Sequence, residues 1–136
     1  MTVLLLTMLL VASEEKSGLP DLEGIFLQNR RDDLARLLSE EITVNLDLNP
    51  LLFDHGSLSR QQVLMSFDKL QQQYLLVEAR LTNSQSDTNY AWLEVYLDIT
   101  LENKTSGLVY YATFAFHFKI TGAQMVIGRW VLQDIH

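Results

Sequence analysis

The sequence predicts an α+β domain in which helices come first and a sheet follows. Apolar residues recur at helical spacing in the first half of the chain, and from Tyr74 onward they alternate with polar residues. Only short turns separate the alternating segments, which indicates that successive strands are antiparallel neighbours. Helices that precede such a group of strands are typical of helices packed on one face of a sheet. We therefore expect the element order α-α-β-α-β-β-β-β.

Composition limits the size of the domain and its partners. The chain has 136 residues, of which 48% are hydrophobic, enough for one domain with its own core. Its net charge of -7 argues against nucleic acid and anionic membrane surfaces as partners, since both require a basic patch. The chain has no cysteine, which excludes disulfides and thiolate chemistry.

The N-terminal segment predicts export. Residues 3–12 are almost wholly apolar, and charge begins at Glu14. This length suits the hydrophobic region of a signal peptide and is too short for stable membrane insertion. Only Met1 and Thr2 precede it, without the usual basic residue, so a buried first strand or helix stays open. We expect a signal peptide and linker over residues 1–18, a single domain over residues 19–136, and a periplasmic or secreted protein.

Two short helices are expected next. Asp21 follows Pro20 and is suited to cap the first helix. Residues 29–33 interrupt the pattern, and Asp32 or Asp33 is suited to cap a second helix that ends at Glu40 and Glu41. The apolar positions that we expect to face the core are Leu22, Ile25, Phe26, Leu34, Leu37 and Leu38. Alternation then predicts a first strand at residues 42–46.

The third helix has the clearest start signal. Residues 49–56 are expected to form a loop, and Ser59 with Gln62 fits a capping box. An apolar stripe follows at Val63, Leu64, Phe67 and Leu70.

Four strands are expected after this helix, at residues 74–82, 90–101, 108–120 and 125–135. In the first of them, Val77, Ala79 and Leu81 are expected on the apolar face. Gly128 predicts a bulge, because the alternation changes phase around it.

The inward positions of the two central strands argue against catalysis. They are Ala91, Leu93, Val95, Leu97, Ile99, Leu101, Leu108, Tyr110, Ala112, Phe114, Phe116 and Phe118. Only Tyr110 among them is polar, so we expect a filled core. The alternative is a small-molecule isomerase or hydrolase that uses Tyr110 and a helix-borne acid such as Asp68 in a polar pocket.

The outward positions of the central strands carry aromatic and charged side chains. Exposed contiguous aromatics are typical of interfaces. Trp130 joins this set if the bulge turns it outward. The expected binding or interface residues are Tyr90, Trp92, Glu94, Tyr96, Tyr111, His117 and Trp130. A homodimer is the expected partner, and a different protein, a peptide or a glycan are the alternatives. Coverage of this face by the N-terminal segment or a loop also remains open.

The histidines give no sign of a metal site. His55, His117 and His136 are far apart in sequence, without ligand spacing. His117 is expected near Glu94 or Asp98 on the neighbouring strand, most simply as a solvated cross-strand pair. We expect no metal and no cofactor.

Three segments resemble the nuclear-transport-factor-2-like superfamily, whose cystatin-like α+β fold is a cone with helices on a curved antiparallel sheet. They are the broken helix pair (LEGIFLQNRRDDLARLLSEEITVNL), residues 56–62 (GSLSRQQ) and the final Gly128-Arg129-Trp130. More narrowly, the chain resembles a family of secreted bacterial domains of unknown function. The resemblance implies the cone fold and a sheet face that is commonly a dimer surface. It does not imply one activity, because the superfamily includes enzymes and binding modules.

Overall fold

Two helices, two strands, a third helix and four strands follow one another in the part of the chain that the structure describes, residues 19–47, 53–86, 91–121 and 124–136. In this computed structural model the elements are the helices Leu22–Leu27 (α1), Arg31–Leu37 (α2) and Arg60–Gln73 (α3), and the strands Leu38–Asp47 (β1), Phe53–Ser59 (β2), Tyr74–Ser86 (β3), Trp92–Asn103 (β4), Val109–Thr121 (β5) and Gln124–Ile135 (β6). The expected signal peptide and linker, and Tyr90, lie outside the described residues. None of the described helices is both long and apolar enough to span a bilayer.

The strands form one sheet in the order β2-β1-β6-β5-β4-β3. The expected meander of β3 to β6 is confirmed, since each of these strands is antiparallel to the next. The sheet as a whole is mixed, because β1 pairs parallel with β6. This follows from the chain path. The α3 helix carries the chain from β2 at one edge to β3 at the other, and the meander returns to β1.

The helix starts at Asp21 and Ser59 are confirmed. The Asp21 carboxylate accepts from the Gly24 N–H at 3.0 Å. The Ser59 hydroxyl accepts from the Gln62 N–H, and the Gln62 side chain accepts from the Ser59 N–H at 2.9 Å. The α3 stripe predicted from the sequence is buried.

The second helix differs from the prediction at both ends. Arg30 occupies its N-cap position without a side-chain cap, and Asp32 and Asp33 lie in the first turn. The helix stops at Leu37, and Leu38 pairs with Ile127 as part of β1. The residues expected to end the helix, Glu40 and Glu41, are therefore part of the strand. Burial alternates only from Ile42 onward, and the register to β6 shifts between Leu38 and Thr43, so the start of this longer strand leaves no alternation in the sequence.

The expected loop at residues 49–56 is wrong in its second half, because β2 already begins at Phe53. This edge strand pairs antiparallel with β1. Its polar and glycine-containing sequence shows no alternation, so no strand pattern is visible. Gly56 has a φ of +109°, a conformation that favours glycine.

A bulge in β3 reverses the expected position of Val77. Leu76 pairs with Leu101 and Glu78 pairs with Thr100, so Val77 is the extra residue, and its side chain is 55% exposed. Ala79 lies on the buried face as predicted. The register shifts again after Leu81, whose N–H donates to the Glu23 carboxylate of α1 at 2.7 Å.

The bulge expected at Gly128 is confirmed, but it turns Trp130 inward. His117 pairs with Arg129 and Phe118 pairs with Ile127, which leaves Gly128 without a partner in β5. The extra residue shifts the phase of β6, so Ile127 and Trp130 both face the core. The predicted interface role of Trp130 is therefore wrong, since its side chain is 1% exposed.

The core contains a cluster of aromatic rings between the helices and the sheet. Phe26 lies 5.1 Å from Phe67 and 5.7 Å from Trp130, and Phe114 and Phe116 complete the group. All five side chains are buried. The inward assignment is confirmed for most positions of β4 and β5. It is wrong for Leu108 and Ala91, which lie just outside these strands and are exposed, because the pleat no longer holds them against the core.

Candidate functional site

The candidate site is the outer face of the sheet, defined as the side turned away from the helices. Its side chains form rows across the strands. One row contains Glu94, His117 and Arg129, because Glu94 and Arg129 are the two register partners of His117. The next row contains Tyr96, Ala115 and Val131. Facing residues of adjacent strands lie about 5 Å apart, so each row is a set of neighbouring side chains.

The predicted residues of β4 contact one another and His117. The Trp92 ring stacks on His117 with centroids 5.3 Å apart and planes 23° apart. The Tyr96 hydroxyl donates to Glu94 at 3.0 Å, and this hydrogen bond is the main reason why the pKa of Tyr96 is raised. The predicted proximity of His117 to Glu94 is confirmed by their register. These side chains are half-buried, because each lies against a neighbour.

Tyr111 is the most accessible of the predicted residues that the structure describes. Its side chain is 53% exposed, and its ring lies 5.9 Å from His136. Two backbone hydrogen bonds, of 2.8 and 2.9 Å, join the same two residues and hold the chain end against β5. The backbone of Tyr111 is therefore held in the sheet, and its ring is open to solvent.

Two further apolar residues of the outer face were missed by the sequence analysis. Leu75 is 53% exposed and Val109 is 46% exposed, and both are register partners of Glu102. Facing residues of a sheet share a face, so the charge of Glu102 was the signal that could have placed both outward. Together with Tyr111 they extend the outer face toward the turn after β4.

A cavity of about 310 Å³ opens on the outer face beside Tyr111, and we name it the acidic cavity. Its ionisable lining residues are Glu78, Arg80, Asp98 and His136. The Asp98 carboxylate accepts from the Thr113 hydroxyl at 2.7 Å. The two carboxylates outnumber the one permanent cation, Arg80.

A second depression of about 420 Å³ lies at the opposite side of the same face, and we name it the Arg129 cleft. It crosses β2, β1 and β6, and its polar side chains are Thr43, Asn45, His55 and Arg129. No carboxylate belongs to its lining among the described residues. The two depressions therefore differ in charge.

The interior of the cone offers few polar groups within the described residues. Ser66 is buried and donates to the Gln62 carbonyl at 3.3 Å. The Trp130 indole N–H and the Tyr74 hydroxyl are buried without a hydrogen-bond partner.

Burial raises the pKa of Tyr74 to about 12, against a smaller opposing effect of Asn103. The Asn103 side chain itself accepts from the N–H groups of the following turn, residues 105–106.

The alternative catalytic pair is engaged elsewhere. The Asp68 carboxylate accepts from the Arg31 side chain at 3.0 and 3.1 Å. Tyr110 is half-buried against Tyr74, with ring centroids 6.2 Å apart. Within the described residues there is no group of three or more potential side-chain ligands that could hold a metal ion.

Comparison with known proteins identifies the fold. No family model and no curated protein sequence matches the chain. Many solved structures are similar to it. A DUF4783 family protein from Bacteroides uniformis has a TM-score of 0.65 and 8% identity, over 83% of this chain and 93% of that one. A Bacillus subtilis protein provisionally named an isomerase has a TM-score of 0.66 and 11% identity, over 90% and 88%. A Mycobacterium tuberculosis protein in complex with estradiol-17β-hemisuccinate has a TM-score of 0.63 and 12% identity, over 82% and 89%.

The chain therefore has the nuclear-transport-factor-2-like fold, with a few helices packed on a curved, unclosed mixed sheet. Its structural neighbours include DUF4783 proteins and nuclear-transport-factor-2-like ligand-binding and isomerase folds. At identities of 8–12% this similarity concerns the fold alone.

Proposed function

We propose that this protein is a non-catalytic binding module that self-associates through the outer face of its sheet. The observation that carries the proposal is the position of Tyr111. Its ring is 53% exposed on the outer face, beside the acidic cavity. Tyrosine is among the residues that contribute most to binding at interfaces.

The packing of the interior supports a non-catalytic role. An active site requires a base and a donor around a space for the substrate. In the described part of the cone, that space contains the side chains of Phe26, Phe67, Phe114, Phe116 and Trp130. Their centroids are separated by 5.1–6.3 Å where they contact, the usual spacing of packed rings.

The composition of the outer face supports self-association. Leu75, Val109 and Tyr111 expose about half of their surface there, while Ala115 at its centre is 7% exposed. A small central residue allows a second sheet to approach closely. A two-fold dimer would use this surface twice, and a stable one covers roughly 1,200–2,000 Å² in total.

Sedimentation velocity over a range of concentrations tests the proposal. The wild type is expected to dimerise, and Tyr111→Ala is expected to weaken the dimer at least about 30-fold, since losing an interface tyrosine costs about 2 kcal/mol and both copies lose it. Met65→Ala is the matched control, because Met65 is 57% exposed but lies on α3, away from the outer face. A wild type that stays monomeric at high concentration contradicts the proposal.

A second candidate function is binding of a small apolar ligand inside the cone. The unpartnered N–H of Trp130 favours it, because a buried donor usually has a partner. A structural neighbour was solved with a steroid derivative. Titration of the Trp92→Phe variant with estradiol-17β-hemisuccinate tests this candidate, because Trp130 is then the remaining tryptophan. A saturable fluorescence change supports ligand binding in the cone, and an unchanged signal supports the filled interior.

We also propose that the protein is exported, on the basis of the apolar segment at residues 3–12. N-terminal sequencing of the protein from its native host tests this. A mature chain that begins near Ser13 is expected, and retention of Met1 in a cytoplasmic fraction contradicts export.

A further inference from the structure

We infer that, in the self-associated form, Arg129 of one copy binds the carboxylates of the acidic cavity of the second copy. This inference rests on the proposed self-association and names the contact that orients it. The observation behind it is that the outer face carries negative charge at the acidic cavity and positive charge at Arg129, which lie at separate positions. Guanidinium and carboxylate groups form strong, directional ion pairs when brought together.

Arg129 is an available cation. Its side chain is exposed, and no described carboxylate lies within ion-pair distance of it. Its row neighbour His117 is stacked on Trp92, and its partner in β1 is the neutral Thr43. Glu41 is the acidic residue two positions before Thr43 on the same face of β1, and it does not line the cleft.

The acidic cavity supplies the acceptors. Glu78 is exposed and makes no hydrogen bond among the described residues, and the second Asp98 oxygen is not used by Thr113. Arg80 faces Asp98 in the register without forming an ion pair with it. Glu102 continues the negative charge along β4. A second cation can therefore bind there without displacing an existing salt bridge.

The two positions are too far apart to pair within one copy. Arg129 is opposite His117, and Asp98 is opposite Thr113, on either side of β5. The separation is two strand spacings and four residues along the strands, or roughly 17 Å between Cα atoms. The contact is consequently possible only between copies.

Two-fold symmetry brings the positions together. Ala115 lies on β5 midway between His117 and Thr113, so it marks the midpoint between Arg129 and Asp98. Consider a two-fold axis that lies between two facing sheets and passes over Ala115, perpendicular to the line from Arg129 to Asp98. Rotation about this axis places Arg129 of each copy opposite Asp98 of the other copy. The same rotation carries Tyr111 toward the Arg129 cleft of the other copy. Each depression then receives a side chain from the partner.

Charge exchange tests the contact, with dimer dissociation constants measured by sedimentation velocity. Arg129→Asp and Asp98→Arg each place like charges together, and each is expected to weaken the dimer at least roughly tenfold. An equimolar mixture of the two variants is expected to form a heterodimer close to wild-type affinity, because both contacts are then Arg with Asp. Glu78→Arg serves as a second acidic-end variant, since Glu78 has no described hydrogen bond to lose. Circular dichroism confirms that each variant is folded.

The outcomes separate this inference from the proposed function. A wild-type dimer that neither Arg129→Asp nor the acidic-end variants weaken overturns the inference and leaves self-association intact. Weakened single variants whose mixture does not recover also overturn it. A monomeric wild type overturns the proposed function itself. Restored affinity in the mixture supports the contact, because no effect of either substitution on its own subunit explains such recovery.

Discussion

The Trp130 ring stacks on Phe116, with centroids 5.6 Å apart and planes 20° apart. The two residues are register partners on β6 and β5, so they share the core face of the sheet. Phe26 and Phe114 contact the same indole from other directions, at 5.7 and 5.4 Å. The indole therefore joins the first helix to the last strand, and it helps to fill the interior of the cone.

Removal of this indole is expected to destabilise the domain strongly. Trp130→Ala leaves a cavity among three rings and should cost about 3–5 kcal/mol in free energy of unfolding. Phe116→Ala is expected to cost a similar amount. Urea denaturation measures both, with the exposed Met65→Ala as a control that should change stability by less than about 1 kcal/mol. A small effect of Trp130→Ala would contradict the buried position.

The bulge at Gly128 can be tested separately from the residue type. Gly128→Ala should be tolerated, because an added Cβ meets only the flexible end of Lys119, at 3.0 Å. Deletion of Gly128 should also leave Trp130 facing the core, because Ile127, Arg129 and Trp130 then alternate regularly without the extra residue. Circular dichroism and proteolysis are expected to show that both variants are folded. An unfolded deletion variant would show that the bulge itself, and not only the phase of β6, is required for folding.

The capping box of α3 gives a smaller and more local prediction. Ser59→Ala removes the acceptor for the Gln62 N–H and should lower stability by about 1 kcal/mol. Ser59→Asp should restore most of this loss, because aspartate caps equally well and its charge interacts favourably with the helix N-terminus. Thermal unfolding of the three proteins provides the comparison. Equal melting temperatures would contradict a role of the cap in stability.

The elements that were predicted correctly are those whose signals are local. The capping box at Ser59, the α3 stripe and the meander of β3 to β6 all follow from side-chain spacing within one segment. The strand β2 and the parallel pairing of β1 with β6 were missed, because edge pairing depends on a distant partner rather than on alternation. The second helix was extended into β1, since Leu37 and Leu38 fit both periodicities.

In the candidate site, too, the predictions from local signals were correct and those that depend on distant pairing or on bulges were not. Alternation placed Trp92, Glu94, Tyr96 and His117 correctly on one face. Alternation gave the wrong face for Val77 and Trp130, because one extra residue at a bulge exchanges the two faces of a strand. The acidic cavity and the Arg129 cleft could not be predicted, because each combines side chains from three strands whose register no single segment encodes.

Tyr74 predicts how stability changes at alkaline pH. Its side chain is 1% exposed, and burial raises its pKa from 10 to about 12 in the folded state. Between these values the unfolded chain loses the phenolic proton while the folded protein keeps it. The contribution of Tyr74 to stability is therefore fully present below pH 10 and is lost as the pH rises toward 12.

Tyr74→Phe removes this titration together with a hydroxyl that has no hydrogen-bond partner. Urea unfolding at about pH 9 and about pH 11.5 should show that the wild type loses roughly 2 kcal/mol more than the variant over this interval. Because the other tyrosines titrate in both proteins, the difference isolates Tyr74. Equal losses in the two proteins would mean that the Tyr74 hydroxyl reaches solvent in the folded state.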